Sequence, residues 1–377
     1  MIDTIPIVLA WQSGGANATA VFRSYVHLLS DAFSAFLRRL SRSESGLADR
    51  LAVLVREVSD DAFLRVLTAP ETSFRLLWNG GVSDAARAEF FLSAFRAEVA
   101  REHGSHRFEI ETWTALGDIG FGPDGDVLGN WRLEGMMPLD FGSPLARATA
   151  TAEMELDGER LDFQPFSDEE IARVLTRLAA AGRAIRDTSQ EVMDFATTFN
   201  RVLVCVKDAV APFSFASGST GQYVGRSFLA NPHLTNVDEV AIAEGIVHEA
   251  VHGLLFMLER RNRWVADALY MGPARIVSPW SGNPLRLRPY LQACFVWFGL
   301  LHFWGLALGA GAFSAARVRS RISTCVQGFL GGSLVDAVNS FIDGISPDLI
   351  ETIAVMQAHV VESVSDTVPE LLLHSSR

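Results

Sequence analysis

Two histidines four residues apart, with a glutamate beside the first, stand in the run His248-Glu249-Ala250-Val251-His252. An α-helix turns about 100° per residue, so positions i and i+4 lie nearly above one another on one face. Both imidazoles can then reach a single divalent ion. Glu249 sits one position round the helix, close enough to touch a metal-bound water or a neighbouring ligand. The plainer reading is a pair of histidines on an ordinary polar helix face. The flanks favour a helix from about Val237 to Arg260. Asp238 and Glu239 put negative charge in its first turn, and Leu254, Leu255 and Leu258 continue it.

A catalytic metal site needs a third protein ligand and open positions besides. Glu259 points to the same side as His252 but lies about 10 Å further along the axis, too far to share one ion. No third histidine follows at the spacing of an extended zinc-protease motif. Glu244, one turn before His248, can orient an imidazole or simply be a solvated charge. Gln292 lies in an otherwise uncharged helix and needs a hydrogen-bonding reason to be there, structural or catalytic. His302, in a Leu-His-Phe-Trp run, reads first as a core histidine and second as a ligand.

The elements that must position these groups are mostly helical. Residues 14 to 103 show apolar positions at helical spacing, clearest from Thr19 to Leu40 and from Ala86 to Val99. From Phe108 to Phe163 the pattern is short and turn-punctuated, with Gly122-Pro123-Asp124-Gly125 as a turn and Ala148 to Leu156 as a strand. Ser167-Asp168-Glu169-Glu170 has the form of a capping box, and helical periodicity is read from there through Ala209. A polar, glycine-rich loop is expected between Phe213 and Pro232, as a connector or as a wall of the site. The fold expected is mainly α: a multi-helical metalloenzyme with a small β-rich subdomain, not a cupin barrel. Its parts are a helical region at 1–104, the β-rich subdomain at 105–166 and a helical metal-binding domain at 167–377.

Of the 377 residues 49% are apolar and 20% charged, which describes a globular chain rather than a disordered one. The formal charge of −12 argues against nucleic acid or an anionic membrane as the main partner. Cys205, Cys294 and Cys325 are far apart in apolar runs, as buried thiols of a reducing, cytoplasmic compartment would be. Ile5 to Trp11 is apolar but short and lacks a preceding basic region, so it does not read as a secretory signal. Pro289 to Ala316 has no charge and is long enough to span a bilayer, but Gln292, His302 and a glycine- and alanine-rich end favour a buried helix ending near Gly305.

Three blocks together resemble the HExxH-type peptide β-hydroxylases, enzymes that use Fe(II) and 2-oxoglutarate. They are Ser217-Gly218-Ser219 with Gly225; the metal motif with Val247; and Ser278-Pro279-Trp280 with the helix ending Gly299-Leu300-Leu301-His302-Phe303-Trp304. The resemblance covers roughly residues 205 to 304. It implies Fe(II) on His248 and His252, with 2-oxoglutarate chelating the metal, and oxidation of a C–H bond in a peptide or small-molecule substrate. A cation for the far carboxylate of 2-oxoglutarate is then expected from Arg288, Arg286 or Arg275, with Ser219 as a further cofactor contact. Where the family pattern has a third histidine ligand this chain has Gln292, a weaker neutral donor. Two other readings stand beside it: a zinc peptidase with Glu249 as general base, and a peptide-binding scaffold without turnover.

Overall fold

The computed structural model describes residues 2–11, 15–78, 81–104, 108–133, 137–146, 163–270, 272 and 275–371. The chain is mainly helical, 64% helix against 12% strand, with a mixed sheet. It divides into two compact units, one of Met1–Thr19, Ala184–Phe195 and Leu258–Arg377, the other of Ala20–Arg183 and Ala196–Met257.

The helices are α1 (Ile5–Leu9), α2 (Ala16–Ser43), α3 (Ser45–Glu57), α4 (Asp60–Leu67), α5 (Pro70–Ser73), α6 (Asp84–His103), α7 (Asp168–Thr188) and α8 (Gln190–Phe199). They continue as α9 (Glu239–Glu259), α10 (Asp267–Tyr270), α11 (Leu287–Ala310), α12 (Ala315–Leu330) and α13 (Pro347–Leu371). The unit containing residues 20–183 holds α2 to α6 and a sheet. Its α2 buries Tyr25, Leu29, Phe33, Phe36 and Leu40, a stripe at helical spacing. Phe33 meets Phe91 edge-on at 4.9 Å and so locks α2 to α6. Ser83 caps α6 by accepting the Ala86 N–H, and Gly104 ends it in the left-handed region at φ 74°.

The sheet runs β1 (Thr112–Trp113), β2 (Ile119–Phe121), β3 (Val127–Leu133), β4 (Met137–Asp140), β6 (Val202–Asp208), β8 (Arg226–Ala230) and β7 (Ala216–Ser219), with β5 (Phe163–Gln164) also on β6. β6 lies parallel to both β4 and β8, whereas β7 lies antiparallel to β8. The helical periodicity read through Ala209 is therefore corrected. Residues 202–206 are wholly buried, and a parallel strand covered on both faces reads as a continuous apolar run with no period-two signal. The expected glycine-rich loop is likewise corrected, because β7 and all of β8 lie inside Phe213–Pro232. The proposed strand at Ala148 to Leu156 lies outside the described residues.

Other local expectations match. Ser167 N–H donates to Glu170 Oε2 at 2.8 Å while Glu170 N–H donates to Ser167 Oγ at 3.3 Å, a reciprocal capping box at the start of α7. Gly125 N–H closes the turn onto Gly122 O at 3.0 Å.

In the other unit α11 does not stop near Gly305. It continues through Gly309 to Ala310 and ends at Gly311, whose φ of 68° suits a residue without a Cβ. Trp280 Nε1 donates to Cys325 O at 2.9 Å, its ring stacks on Trp297 at 5.8 Å, and Gly328 leaves it room, since a Cβ there would lie 2.0 Å from Nε1. The Ser-Pro-Trp block is thus an anchor for α11 and α12. Cys205, Cys294 and Cys325 are buried thiols outside any disulfide. Among the described residues two helices are long and apolar enough to cross a membrane, α9 and α11, and their apolar windows are 78% and 50% buried in the fold.

Candidate metal centre

α9 carries the motif within the sheet-containing unit. Between Val240 and Leu258 every position is buried except Ala241, Glu244, His248 and His252. Those four follow one another at three- and four-residue steps, so they form a single narrow stripe along an otherwise packed helix. The two imidazoles lie 5.1 Å apart between ring centroids. Phe256, the next position along, stacks on His252 at 5.7 Å. His248 keeps 28% of its side chain exposed.

Packing fixes this stripe in place. Gly245 faces β7 and β8, where a Cβ would come within 3.0 Å of Leu229 and 3.2 Å of Ser217. Gly253 lies against the end of α8, where a Cβ would sit 2.6 Å from the Phe199 carbonyl oxygen. Between them Asn200 Nδ2 donates to Ile246 O at 2.9 Å, and its Oδ1 accepts from Ser227 Oγ at 2.6 Å. The bare glycine backbone lets the helix approach closely, and a buried amide ties it to β8.

Glu249 turns away from the stripe into the protein and is 1% exposed. Ser217 Oγ donates to its Oε1 at 2.7 Å and Ser219 Oγ to its Oε2 at 2.6 Å. Ser217 and Ser219 are i and i+2 on β7, so both hydroxyls leave the same face of the strand. Oε1 lies 3.9 Å from His248 Nε2. Burial pushes the Glu249 carboxyl above the usual carboxylate range, opposed by the His252 imidazole and the two serine hydroxyls. Ser219, expected as a cofactor contact, is a partner of Glu249. Ser217 has the same role, which its place in the sequence block does not reveal, because the period-two pairing means nothing until the segment is known to be a strand.

The remaining candidates are distributed as follows. Glu244 is half-buried on the stripe, one turn before His248. Gln292 is buried on α11, in the unit that does not contain α9 up to Met257. Arg288 is committed to Glu259, with Nε and Nη2 2.7 and 2.6 Å from Oε2, and both side chains are largely buried. Arg286 precedes α11 and is half-buried, while Arg275 is exposed. His302 rests against Phe298 at 4.5 Å and His359 at 5.9 Å, and its buried Nε2 makes no hydrogen bond. Burial lowers its pKa to about 4, and His359 acts in the same direction.

The imidazole pair fits two positions on one divalent ion. Among the described residues no group of three or more His, Cys, Asp or Glu side chains is placed to hold a metal. A third donor would have to be an amide, a residue outside that set or a ligand. No family model matches the chain, and no curated protein matches it.

Proposed function

We propose that the chain is a non-haem iron, 2-oxoglutarate-dependent oxygenase that acts on a C–H bond of a peptide or peptide-derived precursor. The observation that carries this reading is the division of labour on α9. His248 and His252 share the one accessible stripe, while Glu249 is enclosed with both oxygens accepting serine hydroxyls. A carboxylate held this way is suited to fixing the first imidazole and the polar lining beneath it, less to shuttling a proton. In this reading His248 and His252 hold Fe(II), and the iron with bound 2-oxoglutarate supplies the oxidising chemistry. Gln292 remains the amide proposed to complete the set. Arg288 is already neutralised by Glu259, so it is not proposed as the partner of the 2-oxoglutarate carboxylate. The family resemblance of the three sequence blocks and a cytoplasmic location belong to the same proposal.

One observation favours a second reading, a zinc peptidase. Glu249 Oε1 lies 3.9 Å from His248 Nε2, close to where a metal-bound water would sit. A single reconstitution separates the two. Anaerobic Fe(II) followed by 2-oxoglutarate should give the weak visible charge-transfer band of a chelate, and admitting O2 with candidate peptides should then convert 2-oxoglutarate to succinate and CO2. No band and no succinate would end the oxygenase reading. Bound zinc with peptide cleavage would establish the other.

A further inference from the structure

Strand β7 ends the sheet. β8 pairs with one of its edges, and among the described residues no strand pairs with the other. Alternate N–H and C=O groups point outwards from such an edge, a ready template for a second extended chain. Edges that must stay single are commonly guarded by lysine, proline or a bulge. Ala216-Ser217-Gly218-Ser219 has no charge and no proline, and its register with Ala230 to Ser227 is unbroken. Ser217 and Ser219 turn towards Glu249 on α9, which fixes the strand from that face. On the opposite face Gly218 looks into open space, with no atom beyond its chain neighbours within 4 Å of where a Cβ would stand.

The turn that leads into β7 is pinned from below. Asp208 accepts the Val210 and Ala211 N–H groups at 3.0 and 3.2 Å. Asn231 Nδ2 donates to Ala211 O and Ser214 O, both at 2.9 Å, and its Oδ1 accepts the Asp208 N–H at 2.8 Å. Both of these side chains belong to buried residues, yet what the turn presents outwards is apolar: Val210 is 63% exposed and Phe213 84%. Large apolar groups held in water on an ordered turn add nothing to the core, and they suit a contact surface. Phe213 precedes β7 by three residues, at most about 10 Å of chain at 3.3 Å per residue.

We propose that β7 and the Phe213 turn together dock an extended peptide segment, whose backbone pairs with the open edge and whose apolar side chain covers Phe213. This rests on the reading of the chain as acting on peptides and adds where the peptide lies: beside α9, because Ser217 touches Glu249 and Glu249 adjoins His248. The probe is the strongest binder from a display library of random heptapeptides panned on the full chain. It is synthesised unaltered, N-methylated at its odd backbone nitrogens, and N-methylated at its even ones. Fluorescence anisotropy, with and without a chelator, should show saturable binding. One N-methylated form should bind at least about tenfold more weakly than the other, since an added strand turns only alternate N–H groups towards β7. Phe213→Ser should weaken binding at least about fivefold with Tm unchanged, and the peptide should slow hydrogen exchange over 214–220. The proposal is overturned if no peptide binds saturably, if the two N-methylated forms bind alike, or if Phe213→Ser binds as tightly as the parent. A dimer in sedimentation that Phe213→Ser dissolves would assign the edge to a second copy of the chain and overturn it too. Because binding is also read in chelator, its failure leaves the metal reading standing, and a failed reconstitution leaves this one.

Discussion

Ser219 Oγ donates a 2.6 Å hydrogen bond to Glu249 Oε2, which joins the edge strand β7 to the helix that carries both candidate metal ligands. With Ser217 on the other oxygen, the carboxylate of the HExxH motif is satisfied by the protein itself. This arrangement separates the two accessible imidazoles from the enclosed carboxylate that ties the helix to β7.

His248→Ala and His252→Ala should each abolish stoichiometric Fe(II) or Zn(II) binding while lowering the unfolding temperature little, because both side chains lie on the accessible stripe. Glu249→Gln should keep the metal. Metal content after reconstitution and dialysis, with a thermal scan of each variant, gives the comparison. Full metal retention by His248→Ala would refute the site.

Replacing both Ser217 and Ser219 by alanine strips the buried Glu249 of its donors. A buried acceptor left unsatisfied costs roughly 1–3 kcal/mol, more if charged. Urea unfolding of the double variant should therefore show a clear loss, and adding Glu249→Leu to it should recover part of that loss. Equal stability of parent and double variant would mean the hydroxyls hold nothing.

Gly253→Ala should destabilise more than Gly245→Ala. The new methyl at 253 meets backbone, the Phe199 carbonyl, whereas at 245 it meets the flexible end of Leu229 and the Ser217 side chain. Overpacking of this kind costs about 1–3 kcal/mol. Denaturation midpoints of the two variants decide it, and the reverse order would contradict the packing described for α9.

Stability should fall with acid through His302. Its folded pKa of about 4 lies below the ordinary histidine value near 6.5, so between those values the unfolded chain binds a proton that the folded chain refuses. The neutral-ring stability is complete above about pH 6.5 and is lost as pH falls towards 4, by up to about 3 kcal/mol. Urea midpoints measured across that window should drop less for His302→Phe than for the parent. Parallel curves would show that His302 is not the group responsible.

How far the sequence foretold this depends on the kind of signal. The imidazole spacing, the limits of α9 and the capping box at Ser167 and Glu170 are local, and local periodicity and capping chemistry are enough to find them. β6 was hidden because Val202 to Val206 is a short apolar run, equally compatible with a buried helix segment or a two-sided buried strand. Without β6 and β8, Ser217-Gly218-Ser219 had no sheet to belong to and read as a loop. The Arg288–Glu259 pair joins positions 29 apart, a distance at which no pattern in one sequence announces a contact. Trp280 carried part of a family resemblance, yet its ring is engaged by Trp297, Gly328 and Cys325 as a packing anchor.

The narrow stripe on α9 also sets where this helix is open to redesign. Any change at its packed positions disturbs the sheet or α8, but Glu244 is half-buried on the same line as the histidines. Glu244→His combined with His252→Ala would slide the two-imidazole clip one step towards the helix start, about 6 Å at the helical rise. The scaffold thus offers a rail along which the imidazole pair can be moved, with the enclosed Glu249 serving as a fixed reference point.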